Sequence, residues 1–391
     1  MISQMYKRFI WLLSFVNIFF GSFALCAVEK RAKTKLQPDN CHYLHQSKAQ
    51  SAAVEPLAGG WEKTNGLSED HNVWQQPQWG RPARGHPAWG FFAHQQINRL
   101  AVFTLPVEMM PFFKKHIGFL ADNAVNPDKR RYAVVGEAPR HFIDLDDYPD
   151  TTAATLPRFY KEAAERYGED SLALHGLVPW QIQLTKYQLT EAFKQRDIRR
   201  ILRVAADLGH YIADANVPLH TTRNYNGQLT GQQGIHGFWE SRLPELFSTD
   251  YDFLTGQAEY VYSPQKAAWR AVFNANAALD SVLRVEQQLT NEVGETRKFG
   301  FEERNGITTK VYSADFSKQY HERLRGQVER QMRASVKMVG DFWYTCWVDA
   351  GQPDMRALAN YQLTDQEQKE EGEEKKSWLK RLFKAREESE P

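Results

Sequence analysis

A chain of 391 residues with 42% hydrophobic and 13% aromatic side chains can bury a sizeable core in one large domain or two ordinary ones, which marks it as globular. Its 49 basic and 48 acidic residues leave a net charge of +1, which excludes a long-range field singling out nucleic acid or anionic lipid; any such contact is local. The cysteines form no CxxC pair, so a metal, if there is one, is held by nitrogen and oxygen.

The N-terminus carries Lys7 and Arg8, then an apolar run, then small residues at Ser22, Ala24 and Ala27, the pattern of a secretory signal over residues 1–27. An uncleaved membrane anchor is the alternative, although the run is short for a span. A lipoprotein signal fits less well, because bulky Leu25 precedes Cys26. The signal implies export, to a periplasmic or extracellular location. Residues 28–88 scatter Gly, Pro, Gln and Trp without a sustained period, which predicts an extended or poorly ordered segment. From Trp89 helical periodicity sets in. It runs through "HQQINRLAVFTL", "EMMPFFKKHIGFLADNAV", "LPRFYKEAAERYG" and "PWQIQLTKYQLTEAFKQ". It continues in "DIRRILRVAADLGHYIADAN", "GIHGFWESRLPELF", a long stretch from Ser263, and another from Ser313 to Gly351. Pro179, Asp197 and Ser313 are helix-start signals. Strand character is confined to "KFGFEERNGITTKVYS". The expected core, residues 89–355, is all-α. Residues 356–391 read as a charged tail with a short basic amphipathic turn at Trp378, Leu379, Leu382 and Phe383, usually a solvated run and otherwise a weak membrane-surface contact.

The stretch from His210 to Glu240 concentrates metal-binding side chains. His210 and Asp214 stand four apart on one helix face, a spacing that on its own fits a hydrogen-bonded pair as well as a ligand pair. Pro218 then ends the helix, His220 follows the break, and "HGFWE" repeats the geometry with His236 and Glu240. Two His-x3-carboxylate pairs plus a further histidine suggest ligands facing each other across a helix bundle. Upstream stand Trp89 and His94 in "WGFFAH", Asp128 and Arg131 in "NPDKRR", and His141, Phe142 and Asp144 in "HFIDLDD". Taken singly, each has a plain structural reading: a turn residue, an interior imidazole, a core aromatic.

In this order, from Trp89 to about Leu246, the set resembles the superfamily of bacterial zinc-dependent phospholipases C and fungal single-strand-specific zinc nucleases. The resemblance implies a multi-helix bundle with a cluster of three zinc ions in a cleft between helices. Asp128, His141, His210 and Asp214 would hold one ion, and His220, His236 and Glu240 a second. Trp89, His94 and a bridging Asp214 would hold the third. Zinc accepts imidazole and carboxylate in such mixed sites, and open positions mark catalytic ions. The implied activity is hydrolysis of phosphodiesters by zinc-activated water, with Arg131 pairing with the phosphate and Asp128 doubling as the base. Two points depart from the pattern or stay open. In the family the tryptophan is the mature N-terminus, whereas Trp89 lies far beyond any signal cleavage site, so either a second cleavage frees its amine or only its carbonyl binds. Asp122 in "FLADN" competes with Asp128 for the first zinc, and Asp128 is favoured because its step to Arg131 and its distance to His141 fit.

The substrate reading divides. The Trp-x4-His spacing and "HFIDLD" are nuclease-like, implying that Phe142 stacks on a base and Asp144 bonds its edge, whereas Glu240 as ligand is phospholipase-like. Asp144, Asp146 and Asp147 are also expected as outer partners orienting the ligand imidazoles. "NYNG", from Asn224 to Gly227, reads most simply as a turn, with reach to the site rim as the alternative. The partner expected is a phosphodiester, either a phospholipid headgroup or single-stranded nucleic acid; no protein partner is implied. Two other classes stay open: a zinc-binding protein without turnover, and an envelope interaction protein working through residues 28–88 and the tail.

Overall fold

The computed structural model describes residues 90–131, 133–148, 155–304 and 306–359. The expectations placed on the signal, on residues 28–88, on Trp89 and on the amphipathic turn of the tail lie outside the described residues.

The described chain is all-α apart from one hairpin. Its helices are α1 (Phe91–Ala101), α2 (Met110–Lys115), α3 (Ile117–Asn123), α4 (Asn126–Arg130), α5 (Tyr160–Tyr167), α6 (Glu169–His175), α7 (Val178–Gln195) and α8 (Ile198–Asp214). After a loop come α9 (Ile235–Gly237), a π turn (Phe238–Arg242), α10 (Leu243–Phe247) and the long α11 (Pro264–Val293). Then follow α12 (Glu295–Lys298), β1 (Phe299–Arg304), β2 (Ile307–Tyr312), α13 (Ala314–Arg323), α14 (Gln327–Asp349) and α15 (Met355–Ala359). Among the described residues no helix is long and apolar enough to cross a membrane.

The start signals act as expected. Pro179 sits in the first turn of α7, the Asp197 carboxylate accepts the Arg200 amide at 3.0 Å, and Ser313 accepts the Phe316 amide. The two strands pair antiparallel with Phe299 opposite Tyr312, and Gly306 at φ 76° supplies the left-handed backbone of the tight turn. Several stretches that read as single helices are broken. The stretch from Met109 bends at His116, and the stretch from Ser313 breaks where Arg325 and Gly326 are both left-handed. The stretch from Ile235 widens into the π turn, where the Leu243 amide reaches back five residues to the Phe238 carbonyl. Pro244 explains the widening, since a regular α-turn would press its ring against the carbonyl of Glu240.

Helix α8 is central. Its last turns, from Leu208 to Asp214, are buried all round, so its polar residues face protein. Helix α14 crosses it, with the Trp343 indole donating to the Ala205 carbonyl at 3.0 Å and stacking on Phe113. Helix α1 approaches α8 closely because Gly209 has no side chain: a Cβ there would lie 1.9 Å from Asn98 Oδ1. Asn98 in turn donates to the carbonyls of Leu120 and Ala206, fixing α1, α3 and α8 together. That close packing carries His94 of α1 up against His210 of α8, ring on ring at 3.9 Å.

Candidate metal centre

Eight of the expected donors meet in one place. α1 contributes His94 and α4 contributes Asp128, while the 3-10 turn Ala138–His141 brings His141. His210 and Asp214 come from the end of α8, and His220 from the 3-10 turn Pro218–Thr221 that Pro218 forces beyond it. His236 lies on α9 and Glu240 on the π turn. All are buried except His236, whose side chain is 20% exposed. Asp122 is exposed on α3, whereas Asp128 is buried with His141 and His210, so of the two aspartates it is Asp128 that joins the cluster.

The hydrogen-bond pattern shows what these groups are arranged to hold. His210 Nδ1 is 2.8 Å from the Ala124 carbonyl, His220 Nδ1 2.7 Å from the His141 carbonyl, and His236 Nδ1 3.0 Å from the Tyr225 carbonyl. A carbonyl oxygen only accepts, so each Nδ1 carries its hydrogen and each neutral ring turns the lone pair of Nε2 inward. Those lone pairs meet other donors. His220 Nε2 and His236 Nε2 are 3.0 Å apart, with Glu240 Oε2 at 2.9 Å from His236 and 3.4 Å from His220. His210 Nε2 is 2.9 Å from His141 Nδ1, and Asp214 Oδ2 lies 3.1 and 2.9 Å from the two. Asp128 Oδ1 stands 3.6 Å from His141 and 3.8 Å from His210. Two donors about 2.1 Å from one ion, at tetrahedral to octahedral angles, are roughly 3.0 to 3.4 Å apart, so these spacings suit shared cations. Buried lone pairs facing lone pairs and carboxylates are stable only around positive charge.

Asp214 stands at the junction. Its Oδ2 faces His141 and His210, while its Oδ1 lies 3.4 Å from His94 and 3.6 Å from His220. The groups that could hold ions are thus Asp128, His141 and His210; His94, His210 and Asp214; and His220, His236 and Glu240. The electrostatics agree. Burial works against the charge on His220, but Asp214 and Glu240 outweigh it and hold the imidazole up at about 9. Burial likewise opposes the Glu240 carboxylate, but His236 and His220 bring it down to about 2. His141 goes the other way: burial dominates and lowers it to about 4, keeping a ring that can donate its lone pair.

Backbone carbonyls, not Asp144, Asp146 or Asp147, orient three of these rings. The Ala124 carbonyl is free because it caps the end of α3, and the Tyr225 carbonyl belongs to the "NYNG" turn, which therefore does reach the site. Asp146 is turned away to Thr222 and the Arg223 amide, and Asp147 pairs with Arg223 and His175. One carboxylate beside the rings had no sequence signal. Glu137 is 1% exposed, accepts from the Tyr211 hydroxyl and Arg140, lies near Arg130, and places Oε1 3.8 Å from His141 Nε2. Arg131 extends from α4 with Nη1 3.6 Å from Asp128 Oδ1 and its side chain one-third exposed. Phe142 is half-buried, and Asp144 is buried in a group with Asp147 and His175.

No family model matches the chain, and neither does any curated protein. Among solved structures the chain is similar to the alpha toxin from Clostridium absonum at 13% identity, covering 71% of this chain and 67% of that one with a TM-score of 0.38.

Proposed function

We propose that this chain is an exported zinc-dependent hydrolase of phosphodiesters. The observation that carries the reading is the inward-facing set of imidazole lone pairs, three of them locked by backbone carbonyls, interleaved with the Asp128, Asp214 and Glu240 carboxylates. Nitrogen and oxygen donors of this kind fit zinc in sites that keep open positions. The ordered motif from Trp89 to Leu246 supports the same chemistry by resemblance. Asp128, His141, His210 and Asp214 hold one ion in this reading, and His220, His236 and Glu240 a second. His94 and Asp214, with Trp89, hold a third. When bound, zinc supplies Lewis acidity to a phosphoryl oxygen and makes water acidic near neutral pH.

The chain's own groups do the rest. The carbonyls of Ala124, His141 and Tyr225 keep three rings in the tautomer that binds, and the Glu137 carboxylate lies 3.8 Å behind His141. Asp128 Oδ2 is buried without a hydrogen-bond partner among the described residues, so it has an acceptor to offer the proton of an attacking water. Arg131 reaches outward beside Asp128, where its guanidinium pairs with a non-bridging phosphate oxygen. Phe142 offers a flat apolar face to a nucleobase. Replacing Phe142 by Ala is therefore expected to lower turnover of a dinucleotide far more than of a short-chain phospholipid; equal losses would remove the stacking role.

The test is metal content measured together with hydrolysis of bis(p-nitrophenyl) phosphate. Tightly bound zinc, turnover, and loss of turnover on chelation with recovery on zinc addition are expected. Zinc bound without hydrolysis would favour a binding protein, and full activity in metal-free protein would end the proposal.

A further inference from the structure

Beyond the centre described above, a second group of donors converges from segments remote in sequence. One oxygen each of Asp144 and Asp147 and one ring nitrogen of His175 lie within 4.8 Å of one another. We propose that these three side chains form an accessory divalent-cation site, separate from the catalytic centre, that takes a transition-metal ion of the zinc or manganese type.

Asp144 supplies the observation that points to a ligand. It is 6% exposed, yet its carboxylate has no hydrogen bond or ion pair among the described residues. A carboxylate this largely buried, with only the more distant charges of Arg223 and His220 in its favour, is costly to ionise, and a cation is the compensation that fits. Burial, followed by the neighbouring charges of Asp147 and Asp146, pushes its carboxyl up to about 7. Asp147 is half committed already: Oδ1 accepts from Arg223 at 3.1 Å, which leaves Oδ2 on the side of His175. His175 Nδ1 lies 3.2 Å from that oxygen, a spacing that matches two donors sharing one ion. Asp146 is excluded because it bonds Thr222 and the Arg223 amide instead. Two carboxylate oxygens and one imidazole favour a borderline divalent ion over calcium or magnesium, which prefer oxygen alone.

The backbone holds these donors in register before any ion arrives. The Asp144 amide donates to the His175 carbonyl at 2.7 Å, Ile143 bridges to Gly176, and the Val178 amide donates to the Phe142 carbonyl. Gly176 sits at φ 98°, and a Cβ there would lie 2.1 Å from the Phe142 oxygen, so only glycine allows this approach. Asp147 and His175 remain 19% and 24% exposed, which gives the ion a way in. An ion here ties the segment bearing His141 and Phe142 to the end of α6. On this assignment Asp144 holds a cation and not the edge of a base.

The experiment is a metal count on the full chain. Protein stripped with a chelator and reloaded with Mn2+ is expected to hold one more ion than the Asp147→Asn and His175→Gln variants, with circular dichroism checking that each variant folds. Equal counts in folded variants would overturn the site. Wild-type crystals soaked in Mn2+ and measured at the manganese absorption edge test it without any substitution. A peak between Asp144 and His175 supports the proposal, and no peak there while the main centre is filled overturns it. A peak here with an empty main centre would leave this site standing and sink the hydrolase reading.

Discussion

Asp214 offers one oxygen to His141 and His210 and the other to His94 and His220, so a single carboxylate links four of the donors. Asp214→Asn keeps the shape but removes the charge that two or more ions would share. Its zinc affinity should fall by more than the roughly 10–100-fold that losing an outer partner costs. Turnover should be abolished with it, and metal analysis beside the phosphodiester assay checks both. Arg131 sits in the opposite situation, outside the donor set and one-third exposed. Arg131→Ala should slow hydrolysis by about 10²–10³ while zinc content stays unchanged. Full activity in that variant would take the arginine out of the mechanism. At this scale the sequence showed residue types and order, and favoured Asp128 over Asp122 by its step to Arg131 and its distance to His141; the direction in which α3 and α4 present the two aspartates places Asp128, not Asp122, in the cluster. It was silent on Glu137 and His175, because each meets its partners through a fold-dependent approach and not through a helical spacing.

Among the elements, the π turn carries the most information. Glu240 lies inside it, and Pro244 four residues on is what makes a regular α-turn unfavourable there. Pro244→Ala should let Phe238–Arg242 wind as ordinary α-helix, which rotates Glu240 relative to His236 and weakens any ion the two would hold with His220. A lower zinc stoichiometry with near-normal helix content is the expected result; unchanged metal affinity would show that the proline has no part in placing the ligand. Helix existence was readable along the chain because apolar residues recur at the helical period, and starts at Pro179, Asp197 and Ser313 were readable because capping is local. The breaks at His116 and at Arg325 were not. Periodicity continues across them, and the backbone departs from the helix to satisfy packing against other elements.

For the molecule as a whole, the buried charges predict how stability depends on pH once metal is removed. His220 has its folded value raised to about 9, above the roughly 6.5 of an unfolded histidine, so its contribution is complete below about pH 6.5 and is lost as pH rises through about 9. His210 is raised as well and acts in the same direction. The Glu240 contribution, with a lowered folded value of about 2, is present above about pH 4.5 and stays constant over this alkaline range. Chelated protein should therefore show a falling denaturation midpoint from pH 6.5 to 9. Zinc-loaded protein should not, because the ion replaces the protons. A chelated protein equally stable at both pH values would contradict this account.

By itself the sequence determined the all-α character, most of the helices, the one stretch with strand character, and which side chains are of the kind that holds zinc. These follow from local periodicity, capping and side-chain chemistry. The tertiary structure alone decided that His94, Asp128, His141, His210, Asp214, His220, His236 and Glu240 share one place, and that backbone carbonyls set the tautomers of His210, His220 and His236. It also brought Asp144, Asp147 and His175 together. Convergence of this kind depends on the close crossing of α1 and α8 at Gly209 and on loop geometry, which are properties of packing between segments distant along the chain.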